Sequence, residues 1–203
     1  MEQTTKEKIL NAALVSFAEN GYKGTNLRDL AAGMGLSKSA LYKHYASKED
    51  IWNALLDETE AYYTRRFGSA ENLPPIPRST EALKELTLRM LDFTSHDERI
   101  IMTRKILLTE QFHDERVRAL ATEHFNVGLE TLFAKLFAAM MENGTLKKSD
   151  PAMLAFAYTA PITTLVQLCD RKPDRRAETM GKIEAFIAHF IDTYGKKEHQ
   201  NAE

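Results

Sequence analysis

From Ile9 to Tyr194 apolar residues recur at steps of three and four, interrupted by glycine and proline, and no stretch alternates apolar with polar as a half-buried strand does. A chain with that pattern folds as an all-α protein. Ile9, Leu10, Ala13, Leu14 and Phe17 share one face of a first helix, opened by a capping box from Thr4 to Glu7 and ended by Gly21. A second helix is capped by Thr25 or Asn26 and turns Leu27, Leu30 and Ala31 inward. Gly35 then supplies a left-handed turn that other residues resist. A short third helix begins at Ser37, with Leu41 and Tyr45 four apart and facing the core. Ser47 opens a fourth, which runs through Ile51, Leu55 and Tyr62 to about Phe67.

"GSAENLPPIPRS" cannot continue that helix, because Gly68 and Pro74, Pro75 and Pro77 restrict the backbone and remove amide donors. Beyond it the pattern predicts helices over 79–95, 98–110, 113–142, 150–170 and 174–194. Gly144 ends one of them. Asp150 caps the next, with Pro151 in its first turn where a missing amide costs nothing, and Pro161 is expected to kink it. The expected architecture is about nine helices: an N-terminal three-helix helix-turn-helix domain over 1–47 and a C-terminal helical ligand-binding and dimerisation domain over 48–203. The fourth helix belongs to both halves.

The chain has 203 residues, 43% of them hydrophobic, which is enough for a proper core and excludes wholesale disorder. Cys169, the single cysteine, cannot form an internal disulfide, and in "TTLVQLCD" it reads as a small buried residue. No apolar run approaches the roughly 18 to 20 residues that span a bilayer, and "MEQTTKEKIL" lacks the apolar core of a signal peptide. The expected location is cytoplasmic, with no membrane partner.

A net charge of −2 gives no global attraction for nucleic acid, so a nucleic-acid site has to be a local patch. One exists. Between Asp29 and Glu49 there is no acid, while Lys38, Lys43, Lys48 and His44 fall inside the interval. A short helix with small residues at its start, here Ser39 and Ala40, can approach a surface closely, and lysines, hydroxyls and free amides there are phosphate ligands. The segment reads as a helix-turn-helix whose second short helix enters the DNA major groove. Lys38 and Ala40 would face bases, while Tyr42, Lys43, His44 and Lys48 grip the flanking backbone. Three helices around a glycine turn also occur in protein-binding modules, so a helical interaction module without DNA binding stands as the alternative.

"KILNAALVSFAENGYKGTNLRDLAAGMGLSKSALYKHYASKEDIW" resembles the N-terminal domain of the TetR, or tetracycline-repressor, family of bacterial transcription regulators. The pattern carries Gly21-Tyr22, Thr25, Leu30-Ala31, Gly35-Leu36-Ser37, Leu41-Tyr42, His44-Tyr45 and Ser47-Lys48-Glu49. Three positions depart from it: Asn26 for a serine or threonine, Ser39 for a glycine, and Met34 for an alanine. The resemblance adds Thr25, Asn26, Ser37 and Ser39 to the DNA-binding set. It also implies a homodimer paired through its last two helices, about 150–194, a small-molecule effector held in the C-terminal half, and repression relieved by that effector. Residues 152–169 and 183–194 are more apolar than the surface helices of a monomer need to be, which agrees with a partner covering them.

Met90, Phe93, Met102, Phe125, Leu129 and Phe133 are the candidate pocket residues, flexible or aromatic groups on the middle helices. His124 reads either as a polar group of that pocket or as a core histidine. "SHDER" at 95–99 and "FHDER" at 112–116 repeat a His-Asp-Glu cluster, but adjacent helical positions diverge by about 100°, so both read as helix starts and no metal or cofactor is expected. No glycine-rich phosphate loop, paired-histidine zinc motif or nucleophile elbow is present, so the chain is not expected to be an enzyme.

Overall fold

The structure, a computed structural model, describes residues 3–68 and 73–196; part of the expected linker, 69–72, lies outside them. The helices are α1 (Thr5–Gly24), α2 (Leu27–Gly33), α3 (Lys38–Tyr42), α4 (Lys48–Phe67), α5 (Thr80–His96), α6 (Glu98–Glu110), α7 (Glu115–Phe125), α8 (Val127–Glu142), α9 (Pro151–Arg171) and α10 (Arg176–Tyr194). They form two compact units. One takes Met1–Arg66 with Glu98–Ala121, so it includes α4 and α6 beside the first three helices; the other takes Phe67–Asp97 with Thr122–Glu203.

In the first unit local sequence chemistry sets the helix ends. Thr4 Oγ1 accepts the Glu7 amide and the Glu7 carboxylate accepts that of Thr4, which completes the capping box. At Gly21 the chain leaves helical angles with φ +69°, then makes one last turn to Gly24. A Cβ at Gly21 would lie 2.7 Å from the Glu110 Oε1, so glycine is favoured there by its positive φ, and a side chain would displace the Glu110 carboxylate. At the end of α2 the Leu36 amide donates to Ala31 O and the Gly35 amide to Ala32 O, with Gly35 at φ +68°: a Schellman motif, whose glycine is needed for its angle alone. Ile9, Phe17, Leu30, Leu41, Tyr45, Ile51, Trp52 and Leu55 are all buried and fix the three-helix head onto α4. Tyr62 is half-buried, with the Arg99 guanidinium 4.8 Å from its ring centroid.

The second unit is built around an aromatic cluster. The Tyr158 ring lies 5.3 Å from Phe133, 5.3 Å from Phe137 and 4.4 Å from Phe190. Its hydroxyl sits 2.8 Å from that of Thr87, which itself donates to Leu83 O. Thr87 has one proton to give, so Tyr158 is the donor in their pair. A short antiparallel bridge, Lys147 N to Tyr194 O and Lys196 N to Thr145 O, ties the end of α10 to the turn after α8.

Two expectations change. The helix expected over 113–142 is divided at Asn126, whose φ −133° and ψ −96° are not helical; asparagine, followed two residues on by Gly128, is a weak place for a helix to continue. The expectation of no membrane-length apolar run also fails for α9, which is long and apolar enough by length and composition to cross a membrane. Alanine, threonine and proline spread its apolar character so evenly that it reads as an ordinary amphipathic helix. In the fold α9 buries Leu154, Ala155, Tyr158, Val166 and Cys169 within the second unit and runs uninterrupted through Pro161.

Candidate nucleic-acid interface

The turn from α2 to α3 sets the geometry of the exposed basic segment. Ser37 Oγ accepts the Ala40 amide and caps α3, and it shares a 2.9 Å hydrogen bond with Ser39 Oγ. Leu41 is fully buried, and Tyr45 nearly so, which anchors α3 from beneath. The outward positions are then Lys38, Ser39, Tyr42, Lys43 and His44, all exposed, with Ala40 half-exposed. The Lys38 ammonium lies 5.5 Å from the Tyr42 ring centroid, so the two side chains steady each other at the surface. Asn26, also exposed, caps α2 by accepting the Arg28 amide.

Two residues of the expected DNA-binding set, Thr25 and Lys48, also make bonds within the fold. Thr25 is only 4% exposed; its hydroxyl donates to Gly21 O and accepts from Ser16 Oγ, closing the end of α1. Lys48 donates to Thr25 O at 2.7 Å and stands 4.6 Å from the Tyr22 ring centroid, which ties the start of α4 to the α1–α2 turn. Spacing alone could not reveal the partners of Lys48, which lie 23 and 26 residues away in sequence. Lys48→Ala should therefore lower the stability of the first unit by about 1–2 kcal/mol, from a lost charge-assisted bond and ring contact. Thermal denaturation measures it, and an unchanged midpoint would contradict the assignment.

One basic group was missed. Arg28, exposed on the first turn of α2, joins Lys38 and Lys43 in an interval from Lys23 to Lys48 that holds five basic residues and one acid, Asp29. Its exposure beside the Asn26 cap follows from the inward turn of Leu27 and Leu30, a signal already present in the sequence. Such a surface of cations, hydroxyls and one aromatic ring can neutralise and hydrogen-bond a polyanion.

The candidate pocket residues fall in both units. Met102 belongs to the first unit and the other five to the second. Phe133 is buried in the aromatic cluster, Met90 and Leu129 pack partly buried against the same core, and Phe93 and Phe125 are half-buried. An open groove of about 340 Å³ lies elsewhere on the second unit, between Glu130–Ala138 of α8 and Pro151–Ala152 of α9. His124, on the last turn of α7, is pushed down to about 4 by burial, so its imidazole is neutral at neutral pH. Asp114 accepts the Val117 amide and caps α7, as expected for a helix start. Among the described residues no three His, Cys, Asp or Glu side chains gather as a metal site.

A family model described as bacterial regulatory proteins, tetR family, matches residues 9–55, the span that holds α1 to α3 and the first turns of α4. Over 58 residues the chain is 36% identical to the biofilm operon icaADBC HTH-type negative transcriptional regulator IcaR of Staphylococcus epidermidis, covering 29% of this chain and 31% of that one. Over 118 residues it is 29% identical to the HTH-type transcriptional regulator AcrR of Shigella flexneri, covering 55% and 49%. Over residues 9–55 this chain is thus similar to the tetR family of bacterial regulatory proteins.

The matched segments span about a third to a half of those relatives. The fold likeness extends further. SmeT of Stenotrophomonas maltophilia, in its complex with triclosan, superposes with a TM-score of 0.73 over 97% of this chain and 94% of that one, at 19% identity. A TetR transcriptional regulator from Chloroflexus aurantiacus gives 0.70 over 93% and 94%, at 22% identity. At such identities the likeness is one of fold.

Proposed function

We propose that this chain is a DNA-binding transcriptional regulator of the TetR family, a homodimeric repressor that leaves a pseudo-palindromic operator when a small molecule binds. The basic outer face of the helix-turn-helix carries the reading: Lys38 and Ala40 aimed at bases, Asn26, Arg28, Ser37, Ser39, Tyr42, Lys43 and His44 at the backbone. Such a protein works where the chromosome is, in the cytoplasm, and catalyses nothing. IcaR, named a negative regulator, and SmeT, described as the repressor of a multidrug efflux pump and solved with triclosan, support repression and effector control.

The second unit supports pairing through α9 and α10. On α9 Met153 and Phe156 are 62% and 52% exposed, with Ala157 and Ala160 on the same side. On α10 the outward positions Ala177, Gly181, Ala185 and Ala188 are small and spaced by three or four, so a partner helix can approach closely. Two protomers would offer recognition helices roughly 34–36 Å apart, one turn of DNA. Selection of bound duplexes from a random library, followed by sizing of the complex, tests the proposal. A pseudo-palindrome held by two protomers is expected; folded protein that retains no duplex at low salt would refute it.

A further inference from the structure

Trp52, the chain's single tryptophan, sits buried on α4 with its ring edge-on to Phe17 at 4.9 Å and to Tyr22 at 5.1 Å. Its indole donates to Asp114 Oδ2 at 2.9 Å, across 62 residues. The other oxygen of that carboxylate accepts the Val117 amide at 3.1 Å and caps α7. Four residues earlier, Glu110 Oε1 accepts the Tyr22 amide at 3.0 Å, at the bend where Gly21 takes a positive φ. The turn between α6 and α7 thus holds both ends of the reading head through two carboxylates: the end of α1 by Glu110, the start of α4 by Asp114. Lys48 completes the circuit, stacked on the Tyr22 ring and bonded to the α1–α2 turn.

We propose that Glu110 and Asp114 are positioning residues for DNA binding, setting the angle of α1 and α4, and so of α3, without touching DNA. The inference rests on the DNA-binding reading above. One carboxylate serves both Trp52 and the first turn of α7, so any loosening of that turn also frees α4.

The two tasks of Asp114 separate by substitution. Serine is a good helix cap but has one oxygen, so Asp114→Ser keeps α7 capped and leaves the indole without its acceptor. Trp52→Phe removes the same bond from the other side with the ring packing largely kept. Glu110→Gln retains an acceptor for the Tyr22 amide, and Glu110→Ala does not. The duplex recovered by selection with the unaltered chain is the probe, titrated well below each melting point. Asp114→Ser and Trp52→Phe should each weaken binding roughly tenfold, the range of coupled sites, and together no more than either alone. Glu110→Ala should weaken it and Glu110→Gln restore it. The salt slope should not move, since no phosphate contact is lost, and Trp52 emission should shift in Asp114→Ser. A merely structural role would lower melting points and leave the affinity of folded protein unchanged. That result, or losses that multiply in the double variant, would overturn the assignment alone. Should Asp114→Ser fail to fold, Trp52→Phe decides, its smaller ring controlled by its own melting point. No binding by the unaltered chain would remove the DNA reading itself, and this assignment with it.

Discussion

Phe137→Ala should cost the second unit about 3–5 kcal/mol, the range for emptying a large aromatic site in a packed core. The ring is fully buried and lies between 5.3 and 5.6 Å from Phe133, Tyr158 and Phe190, so three neighbours would have to collapse together to fill the hole. They are held by three different helices, and Tyr158 is also pinned at its hydroxyl to Thr87, so little relaxation is open to them. Denaturant unfolding by circular dichroism measures the loss. A cost below 1 kcal/mol would mean that the cluster repacks freely. Tyr158→Phe should cost far less, about 1 kcal/mol, because only the bond to Thr87 goes. Burial raises the Tyr158 phenol well above its usual range. The folded state therefore holds its proton more tightly than the unfolded chain, and the stability is full below pH 10 and falls as pH rises beyond it. Tyr158→Phe removes that alkaline loss.

What the sequence disclosed and what it hid divide by range. The Thr4/Glu7 box, the Asn26, Ser37 and Asp150 caps and the Gly35 turn all depend on residues within five positions, and each formed where spacing put it. Leu41 and Tyr45 went inward because a four-residue step fixes a face. The partner of Lys48 was not legible because it comes from another turn: a carbonyl 23 residues away can claim the ammonium as well as a phosphate could. Trp52 with Asp114, and Tyr22 with Glu110, are 62 and 88 residues apart, and no local pattern signals them. The pocket residues are hard to read for another reason. Phe and Met at helical spacing pack a core as readily as they line a cavity, and Phe133 went to the core.

Reversing both free cations of the recognition helix, Lys38→Glu with Lys43→Glu, should lower DNA affinity by roughly two orders of magnitude or more near physiological salt, and reduce the salt slope by about two units. Both side chains are exposed, and nothing acidic between Asp29 and Glu49 offsets them, so the change falls wholly on the outer face. Stability should move by no more than about 0.5 kcal/mol, as is usual for surface positions; unlike Lys48, neither lysine is tied to the fold by a backbone carbonyl. The single neutral variants separate their tasks. Lys43→Ala should weaken binding to all sequences alike and take about 0.9 units from the slope. Lys38→Ala should also alter the sequence recovered by selection, because a group at a base edge discriminates while one at a phosphate only holds. Gel shifts over a salt series, with melting curves as the control for folding, read all three. Undiminished affinity in the double reversal, with the protein folded, would place the DNA surface somewhere other than α3. Equal weakening of every sequence by Lys38→Ala would move that lysine to the phosphates and leave Ala40 as the base-facing residue of the helix.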